Sequence, residues 1–544
     1  MAAVIELSRT ISQTFTNPHA EKIIDLADLQ YDGPDDPANP RNWSRAYKWY
    51  ITISAGFMFL AVTFGSSVYV SGSVEIMYEM HVSRTVSLLG LTLYLFGLSA
   101  GPMLGAPVSE ILGREIVYLS SMPCAILFNV GIAQANNIGT ILVCRFFAGV
   151  FASPVMAISS GTMVDLWDDK DIGKAACIFG LMPFTGPVIG PLIGGFVVTR
   201  KDWRWTSYVQ MMFMGVAWFL MLFCKETYKN AILTRKYKKL GYKIRRPAGG
   251  TKVLVNVLLK RPALMMVAEP TVGLFSLYSS FIFAVLFAYF EAIPFIFQTV
   301  YDFNLEQIGL TFIGIGVGLV LGLFVFILTD VFSYSKLPPE EVTPELRLLG
   351  AIIGAPLIPI GLFWLGWSSR PSVHWISPVL SGLAFGAGLV LVFMSIVTYF
   401  AYAYSPLVSA SAMAANNFER YIFAGVFPLF TIQMYENLGI DWACSLFGFL
   451  SIAMIPIPWL FRLYGKKLRS KSLFNDIDSA DVKKDEESGN ERSSEFDQSN
   501  DLRPSQTRAS MASILDADYT HLINEELSQD DELRRTNTLR NSRL

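Results

Sequence analysis

EPTVGLFSLYSSFIFAVLFAYFEAIPFIF, Glu269–Phe297, decides how this chain is read. From Thr271 to Phe297 it holds one charged residue, Glu291. The run is longer than the about 20 apolar residues a helix needs to cross a hydrocarbon core. Composition agrees: the 544 residues are 52% hydrophobic and 16% charged, against roughly a quarter charged in soluble domains. The chain therefore reads as an all-α membrane protein. Its net charge of −2 hides a segregation that matters more than the sum.

Twelve such spans are expected, at Trp49–Ser71, Val86–Val108, Ile116–Ala135, Ile138–Ala157, Ala175–Thr199, Trp205–Phe223, Glu269–Phe297, Ile308–Phe332, Leu348–Trp367, Trp375–Tyr399, Val408–Met434 and Trp442–Leu463. They split six and six: a tail (1–47), a first bundle (48–224), a central loop (225–262), a second bundle (263–464) and a closing tail (465–544). From Lys225 to Arg261 the loop carries twelve basic residues against one acid, Glu226. Positive loops stay cytoplasmic, so the loop and, with an even span count, both termini are expected there. Arg462, Lys466, Lys467, Arg469 and Lys471 agree, whereas the loop Arg200–Arg204 on the opposite side does not.

Both tails are expected to be mostly disordered, being polar with too little apolar content to fold alone. No cleavable signal peptide is read at the start, and the first span is expected to direct insertion. Arg508-Ala-Ser510 and Arg534-Arg535-Thr536 resemble sites for kinases that prefer basic residues, which makes such kinases candidate partners of the tail. The sequon Asn42-Trp43-Ser44 should stay unglycosylated on a cytoplasmic segment. Five cysteines lie inside apolar runs without metal-ligand spacing, so packing is the reading and a disulfide framework is not.

Three stretches carry the chemistry. In GAPVSEILGRE (Gly105–Glu115), between spans 2 and 3, Gly113 permits a tight turn. Glu110 and Arg114 can pair with each other or with helix ends; the alternative is a charged loop obeying the charge rule. CRFFAGVFAS (Cys144–Ser153) puts Arg145 inside span 4. An arginine there costs a few kcal/mol or more and should face a polar cavity or a partner. Otherwise it snorkels, lying only roughly 10 Å from the span's start. FTGPVIGPLIGGFV (Phe184–Val197) sets Gly186, Gly190 and Gly194 at i, i+4 and i+8 on span 5, a face on which another helix can lie closely. Gly195 extends it, and Pro187 removes a helix hydrogen bond.

Two six-helix halves joined by a basic loop, with these three motifs, resemble the major facilitator superfamily. Over roughly Asp36 to Leu468 the chain is similar to the fungal DHA1 branch, the twelve-span drug:proton antiporters. DPANPRNWSRAYKW, DWRWTSYVQ, KETYKNAIL, the span-7 stretch and SASAMAANNFERYIFAGVFPLF carry that likeness. The resemblance implies a latch between the halves at Gly105, Glu110, Gly113 and Arg114, and a part for Arg145 in proton coupling. It also implies an antiporter motif at Gly186, Pro187, Gly190, Gly194 and Gly195. The sequence departs from the family at Glu115, where a basic residue is usual, at Tyr399-Phe400-Ala401-Tyr402, where an acid is usual, and at Pro344–Leu348.

No GxxxxGK[ST] phosphate loop is present, so transport must draw on a gradient. One charge moving through 100 mV supplies about 2.3 kcal/mol. Alternating access by two rocking halves is the expected mechanism. Glu291 is the best-placed candidate for a proton carrier in the second half, with Arg145 in the first as a candidate charge partner. Counting places Glu291 about 21 residues beyond Pro270, in the outer third of span 7; an interfacial acid without a coupling role is the alternative. Tyr278, Phe287, Phe290 and Tyr402 are expected to line an aromatic substrate cavity, with Asn416 and Asn417, and Glu419 and Arg420, lining it or its inner gate.

The expected activity is proton-coupled export of drugs, toxins or cationic or lipophilic small molecules across a plasma membrane. The alternatives are a polyamine exporter, an importer of an amino sugar or organic acid, and a non-transporting sensor. The partners are the substrate, protons and the bilayer, with no nucleic acid, catalytic residue, cofactor or metal, and the chain is expected to work as a monomer.

Overall fold

The computed structural model describes residues 23–26, 29–168, 172–245, 260–333 and 343–469. The kinase-like triplets, Arg246 and Lys252 lie outside them. Helices form at all twelve expected positions, because each apolar run must satisfy its backbone internally in a hydrocarbon solvent. In order they are Arg45–Ser71, Arg84–Leu112, Arg114–Ala133, Ile138–Ala152 with Pro154–Leu166, Ile172–Arg200, Arg204–Met221, Pro270–Tyr301, Leu305–Thr311 with Ile313–Ser333, Leu349–Gly354 with Leu357–Ser368, Ile376–Ala403, Pro406–Val426 with Pro428–Leu438, and Ile440–Met454 with Pro456–Arg469. They are called spans 1 to 12 here.

Ten are long and apolar enough to cross a membrane by length and composition, among the described residues. The other two are span 6, which carries Arg204 and Gln210, and span 11, which carries Asn416, Asn417, Glu419 and Arg420. Prolines set most breaks: Pro154, Pro356, Pro428 and Pro456 follow or flank a discontinuity, since each lacks the amide that would continue the ladder. Span 4 runs past its expected end at Ala157 to Leu166, which brings Asp165 to the face that bears the central loop.

Four long helices run on through internal proline: span 2 (Pro102, Pro107), span 3 (Pro123), span 5 (Pro183, Pro187, Pro191) and span 7 (Pro294). Spans 1 and 7 are the most enclosed of the ten. In span 7 every residue from Tyr278 to Ile293 is buried, so its apolar run on all sides reflects a helix packed in protein rather than one facing lipid.

The loop-bearing face adds two elements the sequence reading lacked. Ile23–Asp25 and Lys243–Arg245 form a two-stranded parallel ribbon, with Ile24 opposite Ile244 and Asp25 opposite Arg245. Helix Lys229–Lys239 follows span 6. Lys236 on it donates to Asp32 (2.7 Å) and Asp36 (3.1 Å). Two backbone amides, Ala38 and Asp32, together with Lys236 hold the Asp36 carboxyl below the usual carboxylate range, the amides contributing most.

Glu226, the loop's one acid, anchors this face. Its carboxylate accepts from the amides of Arg114 (2.9 Å), Glu115 (3.2 Å), Thr227 (3.0 Å) and Tyr228 (2.9 Å). It thereby caps the N-terminus of span 3, where orphan amides and the helix dipole favour an anion. Burial nevertheless pushes its carboxyl up from the ordinary range. Gly113, between spans 2 and 3, has φ +101° and faces that carboxylate.

A side chain at Gly113 meets both a left-handed backbone, costing about 1–2 kcal/mol, and the Glu226 carboxylate. Gly113→Ala is therefore expected to lower the Tm of the purified protein by several degrees, read by intrinsic fluorescence. Gly33→Ala, at a position with open space around it, should leave Tm unchanged.

Candidate functional site

Spans alternate in direction, so Arg84, Arg200, Glu291 and Glu306 all lie towards the face opposite the central loop. Here the two halves meet. Glu291, on span 7, is 1% exposed and accepts from Arg84 of span 2 through Nη2 (2.8 Å) and Nε (3.1 Å). Arg84 is 35% exposed, so one partner is sealed and the other touches the surface. A second ion pair, Arg200 to Glu306 (3.0 Å), joins the end of span 5 to the start of span 8. Gln433 on span 11 lies 3.3 Å from the Thr85 hydroxyl on span 2.

Close backbone approach supports these contacts. A side chain at Gly195 would run into the carbonyl of Leu305, and one at Gly309 into the carbonyls of Pro191 and Leu192. Gly186, Gly190 and Gly194 serve a different neighbour. They seat span 1 at Thr63 and Phe64, at Ser67, and at Ser71. The run through Pro187 thus has two working sides: three glycines bind span 5 to its own half, and Gly195 lets it approach the other.

Arg145 takes no part in the Glu291 contact, contrary to the pairing considered from sequence. Nor does it reach the surface: it is 1% exposed. It donates to the carbonyls of Gly90 and Gly65 (both 3.0 Å) and to Gln210 Oε1 (3.4 Å). The rings of Tyr69 and Tyr94 lie 4.3 and 4.4 Å from its guanidinium carbon. All these groups belong to the first half. Two carbonyls and two π faces are how an arginine is held in an apolar interior without an acid.

On the loop-bearing face, Gly105 packs on Pro154. Arg114 forms an ion pair with Asp165 at the end of span 4, so this contact of the loop motif ties spans 3 and 4 within one half. Glu110, half-buried, stands one turn before Gly113. Arg235 links the helix after span 6 to Glu115 (2.7 Å). The acid that replaces a usual basic residue thus has a cation beside it, one it shares with Glu226 (3.5 Å). In the second half, Arg469 pairs with Glu345 (2.5 Å).

The aromatic residues expected to line a cavity divide. Tyr278, Phe287 and Phe290 are buried on span 7; Phe287 packs on Phe290 (5.0 Å), and Phe290 on Phe312 of span 8 (5.8 Å). Tyr402 stands apart: it is 54% exposed and lies under the guanidinium of Arg347 (4.3 Å). Asn416 donates to Ser279 Oγ (2.5 Å), and Asn417 accepts from Arg420 (2.7 Å). Sequence reasoning missed Arg84, which looks like an ordinary charged flank beside the N-cap Ser83. Its partner is 207 residues away, and no local pattern signals that. Glu79 was missed for the same reason; it accepts from Arg204 (2.6 Å) and from the Trp203 indole (2.6 Å). Arg200 and Arg204, the charges that disagreed with the expected orientation, are thus both matched by acids.

Residues 55–428 match the sequence profile described as Major Facilitator Superfamily. The chain is 42% identical over 487 residues to Polyamine transporter 4 of Saccharomyces cerevisiae, covering 83% of this chain and 74% of that one. It is 38% identical to MFS-type transporter traF of Penicillium crustosum, covering 82% and 93%, and 38% identical to Efflux pump FUBT of Fusarium oxysporum, covering 80% and 76%. Among solved structures, the proton:xylose symporter XylE bound to 6-bromo-6-deoxy-D-glucose superposes with a TM-score of 0.58 at 16% identity, covering 77% of this chain and 97% of that one. The chain is a member of the Major Facilitator Superfamily and has its fold.

Proposed function

We propose that this transporter is a proton-coupled antiporter that exports small organic molecules across the plasma membrane, its basic loop and both termini cytoplasmic. The carrying observation is the Arg84–Glu291 pair, an ionisable contact between the halves at what is then the outer face. Separating the halves there strands a buried carboxylate. Removing one partner of a fully buried pair costs about 3–5 kcal/mol, and the exposure of Arg84 makes the figure here smaller. A proton on Glu291 removes that penalty: the neutral acid stays in its apolar site, while Arg84 turns to water. Protonation from outside therefore favours outward opening, and closure of the outer face favours re-ionisation.

Supporting this reading are relatives named as efflux pumps and the glycine-proline run of span 5. Arg145, to which the family resemblance gives a part in proton coupling, is held within the first half by two carbonyls and two tyrosine faces. A second reading, polyamine export, has in its favour the relative named Polyamine transporter 4.

In proteoliposomes, Glu291→Gln is expected to abolish transport driven by a pH gradient while downhill exchange of the same substrate continues. Undiminished pH-driven transport removes Glu291 as the coupling group. Thr85→Cys with Gln433→Cys should cross-link the halves through a short bis-maleimide reagent, detected as a single band after proteolysis in the central loop. Gly195→Leu added to that pair is expected to cut the cross-linking yield several-fold; an unchanged yield shows that the close contact of span 5 with span 8 does not hold this face shut.

A further inference from the structure

Span 11 carries a charge that none of the ion pairs described above uses. Arg420 lies 14 residues beyond Pro406, roughly 21 Å along the helix and so near the middle of the bilayer. It is 2% exposed. Its guanidinium carbon lies 4.6 Å from the ring centre of Phe393, 4.7 Å from Phe283 and 5.2 Å from Tyr421. Nη2 donates to Asn417 Oδ1 at 2.7 Å. Nε and Nη1 are sealed from solvent and meet no partner at hydrogen-bond geometry. Nε carries one N–H and Nη1 two, so most of the donor capacity of this cation is unspent.

Phe184 of span 5, in the other half, stands edge-on to Phe393 (4.9 Å) and Phe283 (6.1 Å). The cage around Arg420 therefore sits at the seam between the halves. Tyr421 reaches across the same seam to Met156 Sδ (4.0 Å). This is the depth and position at which the fold binds cargo during alternating access.

The contrast with Arg145 is instructive. That arginine has two backbone carbonyls, a glutamine oxygen and two tyrosine faces, which leave one nitrogen, Nη2, without a partner rather than two. Arg420 has rings, one amide oxygen and the neighbouring Tyr421 hydroxyl, which interacts with it but does not satisfy Nε or Nη1 at hydrogen-bond geometry. Ring faces attract a cation but accept few hydrogen bonds, and unmade bonds to a buried charge are costly. Glu419 is adjacent in sequence, but consecutive residues on a helix do not face each other, and no ion pair joins them among the described residues.

We propose that Arg420 is the point at which cargo is held: it receives a carboxylate or comparable oxyanion of the transported molecule, while Phe283, Phe393 and Phe184 enclose an apolar or aromatic body. This rests on the transporter reading above and names its substrate class, organic monoanions rather than polycations. A polyamine in this cage would face an uncompensated guanidinium at low dielectric, where like charges repel strongly. Exporting an anion while importing a proton also moves both charges in the direction an inside-negative potential favours.

The test is equilibrium binding to the purified full-length protein in detergent, without any gradient. Benzoate, 1-naphthoate and 4-phenylbutyrate are each titrated against their neutral amides, alongside spermidine, by thermal shift and tryptophan fluorescence. At least one carboxylate is expected to bind saturably and ten-fold or more tighter than its amide. Arg420→Gln should erase that preference, and Arg420→Lys should retain part of it. Equal binding of acids and amides, no saturable carboxylate binding, an unchanged preference in Arg420→Gln, or wild-type binding of spermidine as tight as that of the best carboxylate each overturns the proposal. Should Arg420→Gln fail to fold, the wild-type acid-to-amide ratio and Arg420→Lys decide. Proton coupling is absent from this measurement, so the anion site and the antiport reading fail separately.

Discussion

The contact between Arg84 and Glu291 constrains the rest of the structure. It joins residues 207 apart in sequence, binds one half to the other, and places a sealed carboxylate against a cation that still touches the surface. A carboxylate in an apolar interior is tolerable when paired or when protonated, and not otherwise. In the proposed mechanism those two tolerable conditions correspond to two arrangements of the halves. The surrounding contacts fit that role. Gly195 and Gly309 bring spans 5 and 8 together at backbone distance, and Arg200 and Glu306 add a more exposed pair nearby.

The opposite face is built differently. Glu226 gathers four amides, Arg114 pairs with Asp165, and Lys236 ties the N-terminal segment to the helix after span 6. These bonds stiffen the first half as a unit. In the second half Arg469 and Glu345 join the end of span 12 to the approach to span 9. Two internally braced bodies with a titratable contact between them are what a rocking mechanism requires, since packed interiors shift between discrete arrangements rather than deform.

Much of the fold was legible because the bilayer imposes it. Runs of about 20 apolar residues have few alternatives to a helix, and the glycine spacing of span 5 announced a close-packed face. The ribbon of Ile23–Asp25 with Lys243–Arg245 was not legible: each strand is three residues long, and their pairing spans the whole first half. Local residues told that Glu291 and Arg145 were unusual, but not their partners. Arg145 is answered by backbone carbonyls, which leave no mark on sequence, and Glu291 by a residue that reads as a surface flank. Tyr402 looked like its aromatic neighbours by composition, yet it ends span 10 on the outside of the bundle, where a guanidinium covers it. Arg420 was visible as a polar residue in a span; its unspent donors appear only once the surrounding rings are in place.

The central claim, that protonation of one carboxylate releases the closed face, is tested most directly by a distance. Spin labels at Tyr78, exposed in the first half, and Asn437, exposed in the second, report the separation of the halves at that face by double electron–electron resonance. The account predicts a short distance at neutral pH, a growing long-distance population as the pH falls, and a largely long, pH-independent distribution in Glu291→Gln. A distribution that ignores pH in the wild-type chain, or that follows pH equally in Glu291→Gln, contradicts it.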